Sequence, residues 1–353
     1  MFSSIRTITK RFLLPALVLG QLVACNKIPE VEDIKPVTPG GESIADIISN
    51  DASYSVLKAG LTRAGLMTTL SNKNNKLTLL APDDAAFALG GINETVINAL
   101  PLTQLVPLLQ YHVIPQALPT STIAAFGTAN VQMPTLLQPS SSPLFKMSSF
   151  PAVNAMGTFV NNIPVKSADR TAANGVIHTV YAPVVPPSQM MRSLIHNDPE
   201  LSLFEAAVKR ASEGQTGLTL DSLLNYPYPN LTVFAPTNAA MGQVLTALGL
   251  PSDPAVFAML PVATVKGLVA YHILASNGTP VQRLFTVNFT TGTYETLIGP
   301  APYPGLQISM ANPLAPTVKG AVNPTAANIV GANLHAVNGV LHKIDQVLLP
   351  QPF

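Results

Sequence analysis

The segment NGVIHTVYAPVVP at positions 174–186 recurs later in the chain as NGVLHKIDQVLLP at positions 338–350. In both copies, Asn-Gly-Val is followed by one variable residue, a histidine and an apolar run that ends in proline. The glycine can adopt a positive φ, which favours a tight turn. Apolar residues alternate after the turn, so each copy predicts a β-strand that closes a sheet.

Two other motifs occur twice, in the same order in both halves of the chain. LTLLAPDDAAF at 77–87 matches LTVFAPTNAAM at 231–241, and YHVI at 111–114 matches YHIL at 271–274. Four of the six histidines lie in the repeated motifs: His112, His178, His272 and His342. The shared order of three motifs indicates a tandem duplication.

Each copy begins with the pattern of a strand that leads into a helix. The β-rich runs LTLL and LTVF end at Pro82 and Pro236, because proline cannot continue a central ladder. The residues that can cap the helix that follows are Asp83 or Asp84 in the first copy and Thr237 or Asn238 in the second. An amphipathic helix precedes each strand. Its apolar positions are Leu57, Leu61 and Ala64 in the first copy, and Leu203, Phe204, Ala207, Val208 and Ala211 in the second. Helices mixed with short strands predict an α+β fold.

The ordered motifs TxxAPxxAA[FM], YH and NG[VIL]xH resemble those of the fasciclin, or FAS1, domain family. The resemblance covers roughly residues 42–350 and implies two tandem fasciclin-like domains, at 42–186 and 187–353. It implies that each is a wedge of mixed β-sheet with packed helices. A chain of 353 residues with 47% hydrophobic residues is large enough to give each domain its own core. The role implied by the resemblance is extracellular adhesion to protein or polysaccharide, without catalysis.

The first copy departs from the family pattern in two places. Asp345 belongs to the family-like ending IDQVLLP of the second copy, whereas Tyr181 stands at that position in the first. The first copy also carries a Pro- and Ser-rich stretch at 134–145. The short acidic integrin-binding motifs of animal members do not occur, so integrin binding is not implied.

The N-terminal residues have the pattern of an export signal. Residues 1–24 contain a basic start, an apolar stretch and the residues LVA directly before Cys25, which resembles a lipoprotein signal peptide. We expect lipidation at Cys25, the only cysteine of the chain, with 25–41 as a flexible tether. The lipid anchor would place the protein in the bacterial outer membrane, on the periplasmic face or the cell surface. The sequence EVED faintly resembles surface-export signals of Bacteroidetes. The alternative is a secreted protein whose signal happens to end near a cysteine.

The charge content is low. Only 10% of the residues are charged, against about 25% in ordinary soluble domains, and the net charge is +1. No basic block occurs, so we do not expect nucleic acid as a partner. A surface of amides and hydroxyls suits neutral glycans or proteins.

The Tyr-His pairs are the candidate binding residues: Tyr111, His112, Tyr271 and His272. The resemblance links this motif to adhesion. Alternatively, neighbours in a strand point to opposite faces, so one of each pair enters the core and the tyrosine hydroxyl lies at the rim. The predicted structural residues are Pro82, Asn174, Gly175, His178, Pro236, Asn338, Gly339, His342 and Asp345.

The sequence predicts neither an enzyme nor a cofactor or metal site. The HExxH, GxSxG and P-loop motifs do not occur, and the histidines are not closely spaced. Two alternatives remain open. A ligand- or glycan-capture accessory of a nutrient-uptake system predicts a concave pocket lined by tyrosines, and a hydrolase using His272 predicts a Ser or Asp within hydrogen-bond reach. Separately, DSL at 221–223 resembles a Bacteroidetes O-glycosylation motif, with Ser222 as the acceptor.

Overall fold

The computed structural model describes residues 40–139, 145–274, 283–300 and 303–351. The predicted signal peptide, Cys25 and residues 26–39 of the tether lie outside the described residues.

The first half of the chain contains seven helices and eight strands among its described residues. The helices are α1 Ile44–Asn50, α2 Ser55–Arg63, α3 Met67–Ser71, α4 Asp84–Leu89, α5 Glu94–Ala99, α6 Leu102–Tyr111 and α7 Thr120–Ala125. The strands are β1 Leu77–Pro82, β2 Val113–Ile114, β3 Met133–Pro134, β4 Ser148–Ser149, β5 Pro151–Asn154, β6 Gly157–Val160, β7 Ile163–Ala172 and β8 Gly175–Val180.

The second half repeats the plan with five helices and six strands in the described ranges. The helices are α8 Met191–Asn197, α9 Ser202–Ser212, α10 Leu220–Leu224, α11 Asn238–Ala247 and α12 Val262–Tyr271. The strands are β9 Leu231–Pro236, β10 Gly292–Tyr294, β11 Leu306–Ser309, β12 Thr317–Lys319, β13 Ala327–Ala336 and β14 Gly339–Ile344.

Each half is built on a six-stranded mixed sheet. The strand orders are β2-β1-β8-β7-β6-β5 and β10-β11-β12-β13-β14-β9. In both sheets the Ala-Pro strand pairs in parallel with the Asn-Gly strand, β1 with β8 and β9 with β14. The predicted α+β class, with helices packed on a mixed sheet in each half, is confirmed.

The strands after the two Asn-Gly turns do not alternate between buried and exposed residues, so that expectation is wrong. All six residues of β8 are buried. Ile177 belongs to one hydrophobic cluster and Val180 to another. The strand lies inside the sheet and is covered on both faces, and strands buried in this way are apolar throughout.

Both candidate capping residues of each copy are used, for different purposes. Asp83 caps α4 by accepting from the backbone N–H of Ala86 at 2.8 Å. Its neighbour Asp84 accepts from the N–H of Val56 at 2.9 Å and so joins α4 to α2. In the second copy Thr237 is the cap, and Asn238 makes the link to α9 through Leu203. The paired polar residues after Ala-Pro therefore start one helix and fasten another.

The two Asn-Gly turns bring the chain very close to the neighbouring strand. A Cβ atom added at Gly175, where φ is +148°, would lie 1.8 Å from the carbonyl oxygen of Leu77. A Cβ added at Gly339 would lie 2.4 Å from the carbonyl oxygen of Leu231. Close approach of two backbones, more than turn geometry alone, therefore requires glycine at both positions.

Candidate functional site

The Tyr-His pair lies at the junction of a helix and a short strand. Tyr111 is the last residue of α6 and His112 follows it, and Tyr271 and His272 have the same positions after α12. All four side chains are fully buried, with 0% exposure. The expectation that the pair sits within a strand, with one residue on each face, is therefore wrong. The helix end turns both side chains inward.

Each motif histidine joins two distant parts of its domain. Nδ1 of His112 donates to the carbonyl oxygen of Leu108 at 2.8 Å, and Nε2 accepts from the backbone N–H of Val184 at 2.9 Å. The second copy repeats both bonds at 2.8 and 2.9 Å, with His272, Leu268 and Leu348. Burial lowers the pKa of both histidines to about 4, so the rings are neutral at pH 7. The Tyr-His motif thus holds the apolar run that follows the Asn-Gly strand.

The tyrosine hydroxyls are hydrogen-bonded inside each domain, not at a rim as the sequence suggested. Tyr111 donates to the carbonyl oxygen of Ser148 at 2.8 Å. Tyr271 donates to the carbonyl oxygen of Gly305 at 2.9 Å and accepts from the N–H of Ala321 at 3.0 Å. Burial raises the pKa of Tyr111 to about 12. The rings offer no surface to a ligand in this conformation, and a role in adhesion stays a prediction.

We expect replacement of His272 by Ala to lower the free energy of unfolding by about 2–4 kcal/mol, because the carbonyl of Leu268 and the N–H of Leu348 lose their buried partner. Tyr271→Phe should cost less, about 1–2 kcal/mol, because the apolar ring remains although the carbonyl of Gly305 and the N–H of Ala321 lose their partner. Urea unfolding measures both, with the exposed His196→Ala as control. A His272→Ala protein with unchanged stability but lost ligand binding would contradict the structural role.

The two Asn side chains of the Asn-Gly motifs fasten the first helix of each half. Oδ1 of Asn338 accepts from the N–H of Met191 at 2.8 Å, while Nδ2 donates to the carbonyl oxygens of Leu224 and Tyr226, both at 2.9 Å. Asn174 makes the same three kinds of bond in the first half. Both side chains have 0% exposure. Asparagine is needed here because it offers an acceptor and two donors in one small group.

The remaining predicted structural residues also have partners within their own half. Nε2 of His178 donates to the carbonyl oxygen of Leu118 at 2.8 Å, and His342 donates to that of Leu284 at 2.9 Å. Asp345 accepts from the backbone N–H of Asn328 at 2.7 Å. Pro82 and Pro236 are the last residues of β1 and β9.

The geometry of His272 does not match the hydrolase alternative. That alternative predicts a Ser or Asp beside the ring, whereas both ring nitrogens are bonded to backbone groups. Within the described residues, no group of three or more His, Cys, Asp or Glu side chains is placed to hold a metal ion. Over the same residues, no helix has the length and apolar character needed to cross a membrane.

The model of the fasciclin domain matches this chain twice, at residues 52–186 and 199–350. The chain belongs to the fasciclin domain family. Its motif residues accordingly build the fasciclin fold, one set in each of the two fasciclin domains.

Similar proteins come from animals, bacteria and plants. Transforming growth factor-beta-induced protein ig-h3 of Sus scrofa is 32% identical over 43% of this chain, which spans 20% of that protein. Protein sll1483 of Synechocystis is 26% identical over 49% of this chain and 89% of its own length. A FAS1 domain pair from the insect cell adhesion molecule Fasciclin I covers 85% of this chain and 98% of its own, with 16% identity and a TM-score of 0.36. The chain thus spans only about a fifth of the length of ig-h3.

Sequence reasoning missed a buried contact between the two fasciclin domains, centred on Arg283 and here called the Arg283 seam. The guanidinium of Arg283 is 4.5 Å from the ring centroid of Phe150 in the first domain. It donates to Nε2 of His335 at 2.9 Å and to the carbonyl oxygens of Ala336 and Val337, both at 2.8 Å. Arg283 is only 4% exposed, and burial lowers its pKa to about 10. The arginine therefore stays charged at pH 7, stabilised by an aromatic face and carbonyl dipoles.

Amides from both domains complete the Arg283 seam. Nδ2 of Asn130 donates to the carbonyl oxygen of Arg283 at 2.6 Å and to Oδ1 of Asn288 at 3.0 Å. Nδ2 of Asn154 donates to the carbonyl oxygen of Val287 at 2.7 Å. Phe150 and Phe285 pack together beside them, with ring centroids 6.3 Å apart. The contact is buried and directional, so it fixes the orientation of one domain against the other. No sequence signal could have revealed it, because the partners lie about 150 positions apart.

Proposed function

We propose that this protein is a cell-envelope lipoprotein that recognises an extracellular protein or polysaccharide through its two fasciclin domains, without catalysis. A tandem pair of fasciclin domains implies an adhesion or recognition function. The observation that carries the proposal is the match of both halves to the fasciclin domain.

The placement of the motif histidines supports a non-catalytic role. Catalytic histidines need a free nitrogen within reach of the substrate. His112 and His272 are fully buried, and both ring nitrogens of each are hydrogen-bonded to backbone groups. The polar groups of these histidines are therefore bonded within the fold, and recognition would use the outer surface of the domains.

The test of recognition is a binding array of matrix proteins and glycans, probed with the chain from residue 42 onward. We expect saturable binding to at least one component, with none by the same protein after heat unfolding. Binding to no component at concentrations up to about 100 μM, where specific but weak complexes are still detected, would oppose the proposal.

A separate experiment tests the lipid anchor. Replacement of Cys25 by Ser removes the thiol that the lipid would modify, so the variant should no longer partition with membranes. Fractionation of cells expressing the two forms, with a salt wash to release peripheral proteins, measures the difference. A Cys25→Ser protein that remains in the washed membrane fraction would contradict the lipoprotein assignment.

The ligand-capture alternative retains one observation in its favour. It predicts a concave pocket lined by tyrosines, and a cavity does lie between the two fasciclin domains, although Tyr228 is the single tyrosine among its described lining residues.

A further inference from the structure

A cavity of about 710 Å³ lies between the two fasciclin domains, here called the interdomain cavity. The first domain, the connecting segment and the second domain all contribute to its wall. The residues on which the argument depends are Gln110, Phe145, Pro186, Pro187, Pro227 and Tyr228. Its volume lies within the range of roughly 300–1,000 Å³ found for ligand sites, which occur preferentially between domains.

Two aromatic rings, one from each domain, meet in the interdomain cavity. The rings of Phe145 and Tyr228 are in edge-to-face contact, with centroids 6.0 Å apart and planes at 89°. Tyr226 also packs on Tyr228, with ring centroids 5.2 Å apart. Tyr228 nevertheless remains 54% exposed. A large amphipathic ring that is held by neighbours but open to solvent is suited to contact a partner at a small cost in conformational entropy.

The wall of the interdomain cavity carries no charged side chain among its described lining residues. An ionic ligand would lose its hydration there without gaining an ion pair, which is unfavourable. The polar side chains of the wall are Gln110, Gln138 and Ser188. An amide such as that of Gln110 can donate to a carbonyl oxygen. The wall therefore suits an uncharged ligand with apolar rings and occasional carbonyl groups.

We propose that the interdomain cavity binds an extended, uncharged, proline-rich segment of a partner protein. This inference rests on the proposed recognition function and names its partner class. Proline-rich segments adopt the polyproline II helix, whose carbonyl groups point outward and form no internal hydrogen bonds. Such helices dock in grooves lined by aromatic rings. The pyrrolidine rings would pack on Tyr228 and Phe145, while the amide of Gln110 donates to a peptide carbonyl.

The interdomain cavity is fixed before any ligand arrives. The Arg283 seam sets the orientation of the two domains that form its wall. Pro186 and Pro187 restrict the backbone of the connecting segment. A preformed wall and a ligand that is already extended both reduce the entropy lost on binding.

The partner class is tested by titrating the full chain with decaproline, capped at both ends, in a calorimeter. We expect binding, and we expect Tyr228→Ala to weaken it about tenfold or more, as for aromatic residues at the centre of interfaces. The matched control is Tyr303→Ala, because Tyr303 is 55% exposed and lies outside the interdomain cavity. Unchanged thermal unfolding shows that both variants are folded. No binding of decaproline, or an equal loss in both variants, would overturn the proposal.

Two further arms separate this inference from the proposed function. An uncharged oligosaccharide, cellohexaose, replaces decaproline in the first. Binding of cellohexaose that depends on Tyr228, without binding of decaproline, would reject the peptide class. In the second arm, Tyr228→Ala is applied to the binding array. If the Tyr228→Ala protein still binds the array, and decaproline binds neither the variant nor the unchanged protein, the recognition function stands and the proposed site is refuted.

Discussion

Lowering the pH from 7 to 4 is expected to unfold the protein. Burial lowers the pKa of three histidines to about 4, namely His112, His272 and His342. It also lowers the pKa of His178, and burial together with the charge of Arg283 holds the pKa of His335 well below its usual value. All five must become protonated in the unfolded chain as the solution is acidified.

The direction of the effect follows from proton binding. The unfolded chain takes up protons near pH 6.5, while the folded protein resists protonation down to about pH 4. Between these values the unfolded state binds more protons, so stability is fully present above about pH 6.5 and falls as the pH decreases. Each of the three histidines then lowers the free energy of unfolding by about 3 kcal/mol at pH 4. His272 and His342 both lie in the second domain, so together they lower its stability by roughly 6 kcal/mol, which is comparable with the whole stability of a typical domain.

Urea midpoints recorded from pH 8 to pH 4 measure this loss. Histidine C2-proton resonances of the buried rings should change only together with the far-UV circular dichroism, at the point where the domains unfold. A midpoint that stays constant between pH 7 and pH 4.5 would be inconsistent with neutral buried histidines.

Replacement of Gly175 by Ala is expected to cost about 4 kcal/mol or more, which is rare for a single methyl group. The new Cβ would lie 1.8 Å from the carbonyl oxygen of Leu77, so β1 and β8 would have to separate. The φ of +148° adds strain for any residue with a side chain.

The matched control for this change is Gly127→Ala. Gly127 has a φ of +61°, but a Cβ at that position meets no atom within 4 Å. Its replacement therefore costs only the backbone strain, about 1–2 kcal/mol. Urea unfolding compares the two variants, and the yield of soluble protein gives a second readout if Gly175→Ala fails to fold. Equal stabilities would mean that the strand pair can relax around the added carbon.

Local patterns in the sequence predicted the repeated units well. The spacing of the apolar residues from Leu203 to Ala211 predicted the buried face of α9, and the Ala-Pro pairs predicted the ends of β1 and β9. These features depend on residues a few positions apart, so periodicity and capping chemistry are sufficient to find them.

Contacts between residues far apart in the sequence could not be predicted from these local patterns. The Asn-Gly pattern predicts a turn at Asn174, but the side chain also accepts a hydrogen bond from the N–H of Ile44, the first residue of α1, across 130 positions. The apolar residues around the Tyr-His pair predict a strand there, whereas the helix continues through Tyr111 and the strand begins at Val113. Arg283 gave no signal, because an isolated arginine is usually a surface residue and its aromatic partner lies in the other domain.

The parallel pairing of β1 with β8 and of β9 with β14 also governs how the protein acquires its structure. The paired strands are about 100 residues apart in sequence, which gives both sheets a high contact order and slow folding. LTLLAP and LTVFAP are similar enough that each could bind the closing strand of the other domain. Along the chain β8 is complete about 50 residues before β9 begins, so the first domain emerges whole before β9, whether from the ribosome or across the membrane. β1 can therefore pair with β8 before β9, the strand that could otherwise pair with β8, is available.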